Sequence, residues 1–364
     1  MKKLTPLQLF SLLICTRAFS LMTFLPDNAS NALQLMLGAV ISTAFQAVLI
    51  IIIIAFHKRF PNDDPCSLAL SRSRPLGLAV TALYIIYFLL VSFYMIGTFT
   101  YFMDYYFSDY IPRIMIVISV AACAIYIGRA NIGVIGKTGT VLFALFLIFT
   151  ATLVISSVEN FSLVSFHTAE DNFAAGVWRS AVSELARNSY LAVLVFLLPS
   201  VKGSVTKTSV CFLLTRLILI ELILGFITMI LGDYTLLAKL PFFALAAYSR
   251  TAIIERYDAA IMALWVMLSV YKLGLYLHCT GRCVKYISPK VNFVPAVIIS
   301  ALIPAAASLF WLIPHKWETI AYSNFSPLPA VILSGLIPLV MIITLSNRRR
   351  KERAKSESEN ESAG

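Results

Sequence analysis

The chain has 364 residues, 59% of them hydrophobic and 13% charged, with a net charge of +11 and a mean hydropathy of +0.85. Soluble domains carry about 25% charged residues, so this composition excludes one and points to a polytopic membrane protein. The cations do not gather on a soluble module, which sets nucleic-acid binding aside.

At the N-terminus, MKKLTPLQLFSLLICTRAFSLM imitates a signal peptide, but Arg17 interrupts the apolar run and no small-x-small cleavage site follows. The segment is therefore read as a retained membrane helix. One helical crossing needs about 20 apolar residues. Windows of suitable length fall at 7–25, 32–56, 76–103, 112–128, 139–158, 181–201, 209–231, 258–280, 292–313 and 328–346. The expected fold class is all-α, a membrane domain over 1–347 of about ten transmembrane helices, followed by a basic, disordered cytoplasmic tail over 348–364.

An even number of crossings leaves both termini on one side. The loops on that side hold Lys58, Arg59, Arg72, Arg74, Arg129, Lys202, Lys207, Lys285 and Lys290, and the tail adds RRRKERAK. By the positive-inside rule this side is cytoplasmic. The tail cations hold the last helix in place or dock on anionic lipid. On the opposite side the connection over 232–257 is too apolar for a plain loop and is expected to re-enter the interface as one or two short helices. The six cysteines form no CxxC pair, so neither a disulfide framework nor a metal site is indicated.

Charges inside apolar windows are costly and need a reason, on the order of 2.5–3.5 kcal/mol for one lysine at the centre of a span. The first window sets Arg17 between Thr16 and Ser20. It is read as a structural ion pair with Glu184 or Glu221, with the carboxylate of a small ligand as the other partner a guanidinium fork would take. The sixth window places Glu184, Arg187, Asn188, Ser189 and Tyr190 close together. Glu184 and Arg187 are spaced to pair on one helix face, or sit at the outer interface, and the polar run also suits an unwound segment of the kind transporters use at their sites. In the seventh window Arg216 and Glu221 are five apart, a poor pair on one face, which suggests partners on other helices. In the eighth, Lys272 either snorkels towards the cytoplasmic end or points inward on the face it shares with Tyr276. A stripe of Tyr84, Tyr87, Val91 and Tyr94 runs along the third window, a spacing that marks packing more often than a pocket.

Residues 133–140, GVIGKTGT, contain a Gly-Lys-Thr, but Asn131 stands where a phosphate loop needs its first glycine and no strand precedes it. The segment is read as a cytoplasmic loop carrying Lys137. No Ser-His-Asp order, HExxH motif or carboxylate pair in a polar segment is present, so no catalytic residues are assigned and no cofactor is implied.

Several features in order along the chain are similar to one family: Thr5 to Gln8 before the first helix, the Leu-Pro at 25–26, FLLP at 196–199 followed by a basic loop, Lys-Leu-Pro at 239–241 and IERYDAAIMALW at 254–265. The chain resembles the B-subunit, permease-like family of spore germination receptors (GerAB type), itself similar to the amino acid, polyamine and organocation transporters. The resemblance implies a five-plus-five inverted-repeat, leucine-transporter-like fold. It implies a small germinant such as an amino acid, held at midplane by the first, third, sixth and eighth helices, through Thr16, Tyr87, Val91, Ser189, Tyr190, Lys272 and Tyr276. It also implies a nutrient-sensing role in the spore inner membrane beside an A-type membrane subunit and a C-type lipoprotein, with ion-coupled amino acid transport as the alternative. Two departures stand out: the family's Gly-x-Gly of the first helix is replaced by Phe19 and Leu21, and its Gly-x-Glu of the sixth by apolar residues near Leu191 to Val193.

Overall fold

The computed structural model describes residues 3–23, 31–107, 111–157, 172–232, 234–238, 240–248, 257–311 and 327–344. Its helices are α1 (Pro6–Met22), α2 (Ala32–Arg59), α3 (Pro65–Arg72), α4 (Arg74–Phe107), α5 (Arg113–Gly128), α6 (Ile132–Ser157), α7 (Phe173–Ala186), α8 (Tyr190–Leu197) and α9 (Val205–Leu231). These are followed by α10 (Tyr234–Leu237), α11 (Pro241–Tyr248), α12 (Tyr257–Ile287), α13 (Phe293–Trp311) and α14 (Leu328–Thr344). Every apolar window contains a helix. Six helices are long and apolar enough to cross a membrane alone, and the α7–α8 pair, bent by 40°, makes a seventh crossing if it is one span. The remaining three windows hold the shorter apolar helices α1, α5 and α14. The expected connection over 232–257 contains two short helices, α10 and α11. The tail, the Leu-Pro at 25–26 and residues 249–256 lie outside the described residues.

Helix starts follow local chemistry. Thr5 and Gln8 form a capping box at α1, each side chain bonded to the other's backbone amide. Asn31 and Gln34 do the same for α2, and Asp64 and Ser67 for α3. The basic last turn of α2, His57, Lys58 and Arg59, complements the helix dipole.

The centre of the bundle is α12, which packs on α1, α4, α5, α6 and α13. Two-thirds of its most apolar window (67%) is buried, against 22% for α6, so α6 lies at the rim. All eight residues of α8 are buried. Large apolar side chains such as Ile51, Ile118, Ile155 and Phe310 remain exposed. On a soluble protein such surfaces would drive association; on a membrane protein they face lipid.

The Gly-Lys-Thr segment is not a loop. Residues 132–157 are continuous helix, and its glycines serve close approach. A Cβ at Gly136 would strike the Leu4 side chain, and one at Gly139 the Tyr271 hydroxyl. At this crossing the Tyr271 hydroxyl donates to the Ile135 carbonyl at 3.0 Å and the Cys15 thiol to the Gly139 carbonyl at 3.2 Å. Gly139→Val is expected to wedge α6 from α1 and α12 and to destabilise the protein by about 1–3 kcal/mol, read as earlier thermal unfolding in detergent.

Candidate functional site

The site begins at the break between α7 and α8. Asn188 and Ser189 are short polar residues that compete with the helix for its own backbone groups, and here they do so. Asn188 Nδ2 donates to the Glu184 carbonyl at 2.7 Å, closing α7, and Ser189 precedes the first turn of α8. The break thus sits at the polar run, ahead of the apolar Leu191 to Val193. The first helix shows the converse: with Phe19 and Leu21 in place of glycines, α1 is unbroken to Met22.

Three buried charges meet beside this break. Arg17 of α1 and Arg216 of α9 both donate to Oε1 of Glu184, at 2.6 and 2.5 Å. Relative exposures of 2%, 0% and 7% for Arg17, Arg216 and Glu184 put the cluster inside the protein and not at an interface. Arg216 also donates to the Thr43 hydroxyl of α2 at 2.9 Å. The carboxylate therefore joins α1, α7 and α9, and Arg216 extends the cluster to α2. The bonds to Glu184 come from α1 and α9, helices distant along the chain, beside whatever its i, i+3 neighbour Arg187 adds at the end of α7. Glu221 is not the partner of Arg17; its buried Oε1 has no partner among the described residues.

Lys272 is 5% exposed, and its ammonium donates to Ser20 Oγ of α1 at 2.9 Å while lying 5.0 Å from the centre of the Phe19 ring. It does not snorkel, and no carboxylate meets it among the described residues. Phe19 in turn stacks on Trp265, whose indole donates to Thr23 at 2.8 Å and which also stacks on Phe99 and meets Phe243 of α11 edge-on. This aromatic layer closes the end of the site nearer α11.

Tyr276, one turn beyond Lys272, points elsewhere: its hydroxyl donates to Ser189 Oγ at 2.6 Å. Its ring meets Phe88 edge-on, and Phe88 also contacts Tyr87. Lys272 and Tyr276 therefore splay, one to α1 and the other to the α7–α8 break. Of the remaining candidates, Val91 is buried on α4, while Thr16 donates to its own helix at the Leu13 carbonyl. Tyr190 donates to Gln46 of α2 and packs edge-on against Phe212 of α9, on the ionic side. Tyr84, also in the stripe, donates to the Leu333 carbonyl of α14 at 2.6 Å and so serves packing. Sequence reasoning missed Thr43, Gln46, Phe88 and Trp265. The first two carried a signal, as polar residues within an otherwise apolar window.

On the N-terminal side a second set of contacts closes the bundle. Leu4 pairs with Val201 as a parallel bridge, through the Leu4 amide to the Ser200 carbonyl and the Lys202 amide to the Leu4 carbonyl, both 2.8 Å. Beside it the Tyr286 hydroxyl donates to Asp64 Oδ2 at 2.6 Å, with Arg282 at 3.5 Å from the same oxygen and over the Phe196 ring. Burial raises the Asp64 carboxyl above its ordinary value, opposed by the bonds from Tyr286 and the Ser67 amide. Polar groups thus lie between an aromatic layer at one end and a hydrogen-bonded latch at the other, an arrangement suited to holding a small ligand by exchange of these contacts.

The fold is similar to that of solved membrane transporters. It is similar to a Na+-coupled sialic acid symporter in its substrate-bound, outward-open state, with a TM-score of 0.59 and 12% identity, covering 92% of this chain and 78% of that one. It is also similar to MhsT in complex with L-phenylalanine, with a TM-score of 0.56 and 16% identity, covering 89% and 87%. At these identities the likeness establishes the fold, the five-plus-five inverted-repeat class expected above. A search of curated proteins returns no match. Residues 3–315 match the spore germination protein family of permeases, and the chain belongs to that family. It is a permease-like, multi-pass membrane protein.

Proposed function

We propose that this protein is the nutrient-sensing B-type subunit of a germinant receptor, binding a small germinant, an amino acid, among α1, α4, the α7–α8 break and α12. The observation that supports this best is the set of polar contacts gathered around α1 and the break, Tyr276 to Ser189, Arg17 to Glu184 and Lys272 to Ser20, in a chain of the germination family. The seven pocket residues named from the sequence remain the candidate ligand set, with Thr16 and Tyr190 needing to exchange their present partners. The role is non-enzymatic. Its setting in this reading is the spore inner membrane, with both termini towards the core and with an A-type membrane subunit and a C-type lipoprotein as partners.

The second reading is an ion-coupled amino acid transporter, favoured by the fold shared with a Na+-coupled symporter and with a protein solved with L-phenylalanine. Binding cannot separate the two, since sensing and transport both require different affinity in different conformations. Uptake can. Proteoliposomes containing only this chain are expected to accumulate no labelled amino acid under a sodium or proton gradient; gradient-dependent accumulation would replace the sensor with a transporter.

A further inference from the structure

The buried charges around the α7–α8 break do not balance, and the imbalance is directional. Arg17 and Arg216 share a single oxygen of Glu184, so one carboxylate answers two guanidinium groups. Arg216 Nη1 is taken by Thr43, but Arg17 Nε, Arg17 Nη1 and Arg216 Nε are buried without an acceptor among the described residues. Lys272 is met, among the described residues, by the neutral Ser20 hydroxyl and the Phe19 ring. Glu221 on α9 is half-buried and, among the described residues, bonds neither arginine, its Oε1 being buried without a partner. Buried N–H groups of an ion are costly when left unmade. In a guanidinium the Nε–H runs parallel to one of the two N–H bonds of Nη2 and not to Nη1, so the edge of Arg17 that fits a carboxylate is Nε with the Nη2 hydrogen that Glu184 leaves free, and Nη1 faces another edge.

Beside these donors is one buried acceptor. Asn188 Nδ2 is fixed on the Glu184 carbonyl, which leaves Asn188 Oδ1 buried and without a partner among the described residues. Donors for an anion and an acceptor for an ammonium therefore both lie beside Glu184, the first bonded to its carboxylate and the second one turn on, within the helix break.

We propose that Arg17 and Arg216, bridged by Glu184, form a built anion site that receives the carboxylate of an amino acid ligand, with Asn188 Oδ1 facing its ammonium and Lys272 flanking its carboxylate. The proposal rests on the ligand-binding reading above and adds to it the recognised groups. The ligand's carboxylate fills the donors that Glu184 leaves open, so binding tightens α1 onto the break and onto α9. An inorganic anion such as chloride offers the same charge without the fork geometry.

Thermal unfolding of the purified full-length chain in detergent separates these sources. The probes are the twenty L-amino acids, the corresponding amino acid amides, which keep the ammonium and lack the carboxylate, and sodium chloride against sodium gluconate. At least one amino acid is expected to raise the unfolding temperature in gluconate while its amide does not. Arg17→Gln is expected to raise the half-maximal concentration by about tenfold or more, and Arg17→Lys, which keeps the charge on Glu184 but not the fork, is expected to do the same where the glutamine variant does not fold. An amide as effective as its acid, an unchanged half-maximal concentration in Arg17→Lys, or stabilisation by chloride alone would overturn the proposal and leave a ligand-binding subunit of another specificity. Failure of every probe on the wild-type chain would overturn the amino-acid-binding reading beneath it.

Discussion

Replacement of Glu184 by alanine is expected to produce the largest loss of stability, about 3–5 kcal/mol, seen as a collapse in membrane abundance and in unfolding temperature. The carboxylate is the only counter-charge bonded to Arg17 and Arg216 among the described residues, and both guanidinium groups are fully enclosed. Removing it leaves two cations that can neither reach water nor lose their protons. The combined change Arg17→Met, Glu184→Leu, Arg216→Met removes all three charges together and is expected to recover much of the lost stability, since apolar side chains of similar volume replace buried ion networks at little cost. That variant is expected to fold and to be unresponsive to ligand. A stable Glu184→Ala would mean that the guanidinium groups find water or another anion.

The second large effect is functional. Lys272→Met keeps the side-chain stem and deletes the ammonium, so membrane abundance is expected to be unchanged or raised. The germinant concentration for half-maximal response is expected to rise about tenfold to a hundredfold, the equivalent of the ~1.5–3 kcal/mol of one hydrogen bond to a charged group. The check is the loss of optical density by spores carrying the variant receptor, set beside immunoblots of the inner membrane. An unchanged response would reduce the lysine to a packing element. Lost abundance would make the bond to Ser20 a brace between α1 and α12.

Much of the architecture was legible because a bilayer imposes simple rules. Each apolar window holds a helix, though the short α3 lay in none of them, and the polar run from Glu184 to Tyr190 marked the break, since a span that must satisfy its backbone internally changes course only where side chains can substitute. The partners of the charges were only half legible. Arg17 was matched to Glu184 among its alternatives because both carry opposite charge in apolar windows, yet nothing in the sequence shows that Arg216 shares the same oxygen. That contact depends on how α9 lies against α1, which is fixed by packing over many residues. Lys272 illustrates the same limit: its partner Ser20 is a common residue in a helix distant along the chain. The Gly-Lys-Thr segment was misread for a local reason. Glycines that punctuate a soluble sequence are tolerated within membrane helices, where Gly136 and Gly139 let α1 and α12 approach.

The central claim is that ionic and tyrosyl groups from separate helices converge on one ligand-binding centre at the α7–α8 break. It is tested most directly by a cryo-electron microscopy structure of the full chain in lipid nanodiscs with a stabilising amino acid bound. The account predicts density for the ligand between Arg17, Lys272 and Asn188, with the lysine ammonium directed at α1. A lysine ammonium among lipid headgroups, or a ligand seated away from the break, would contradict it.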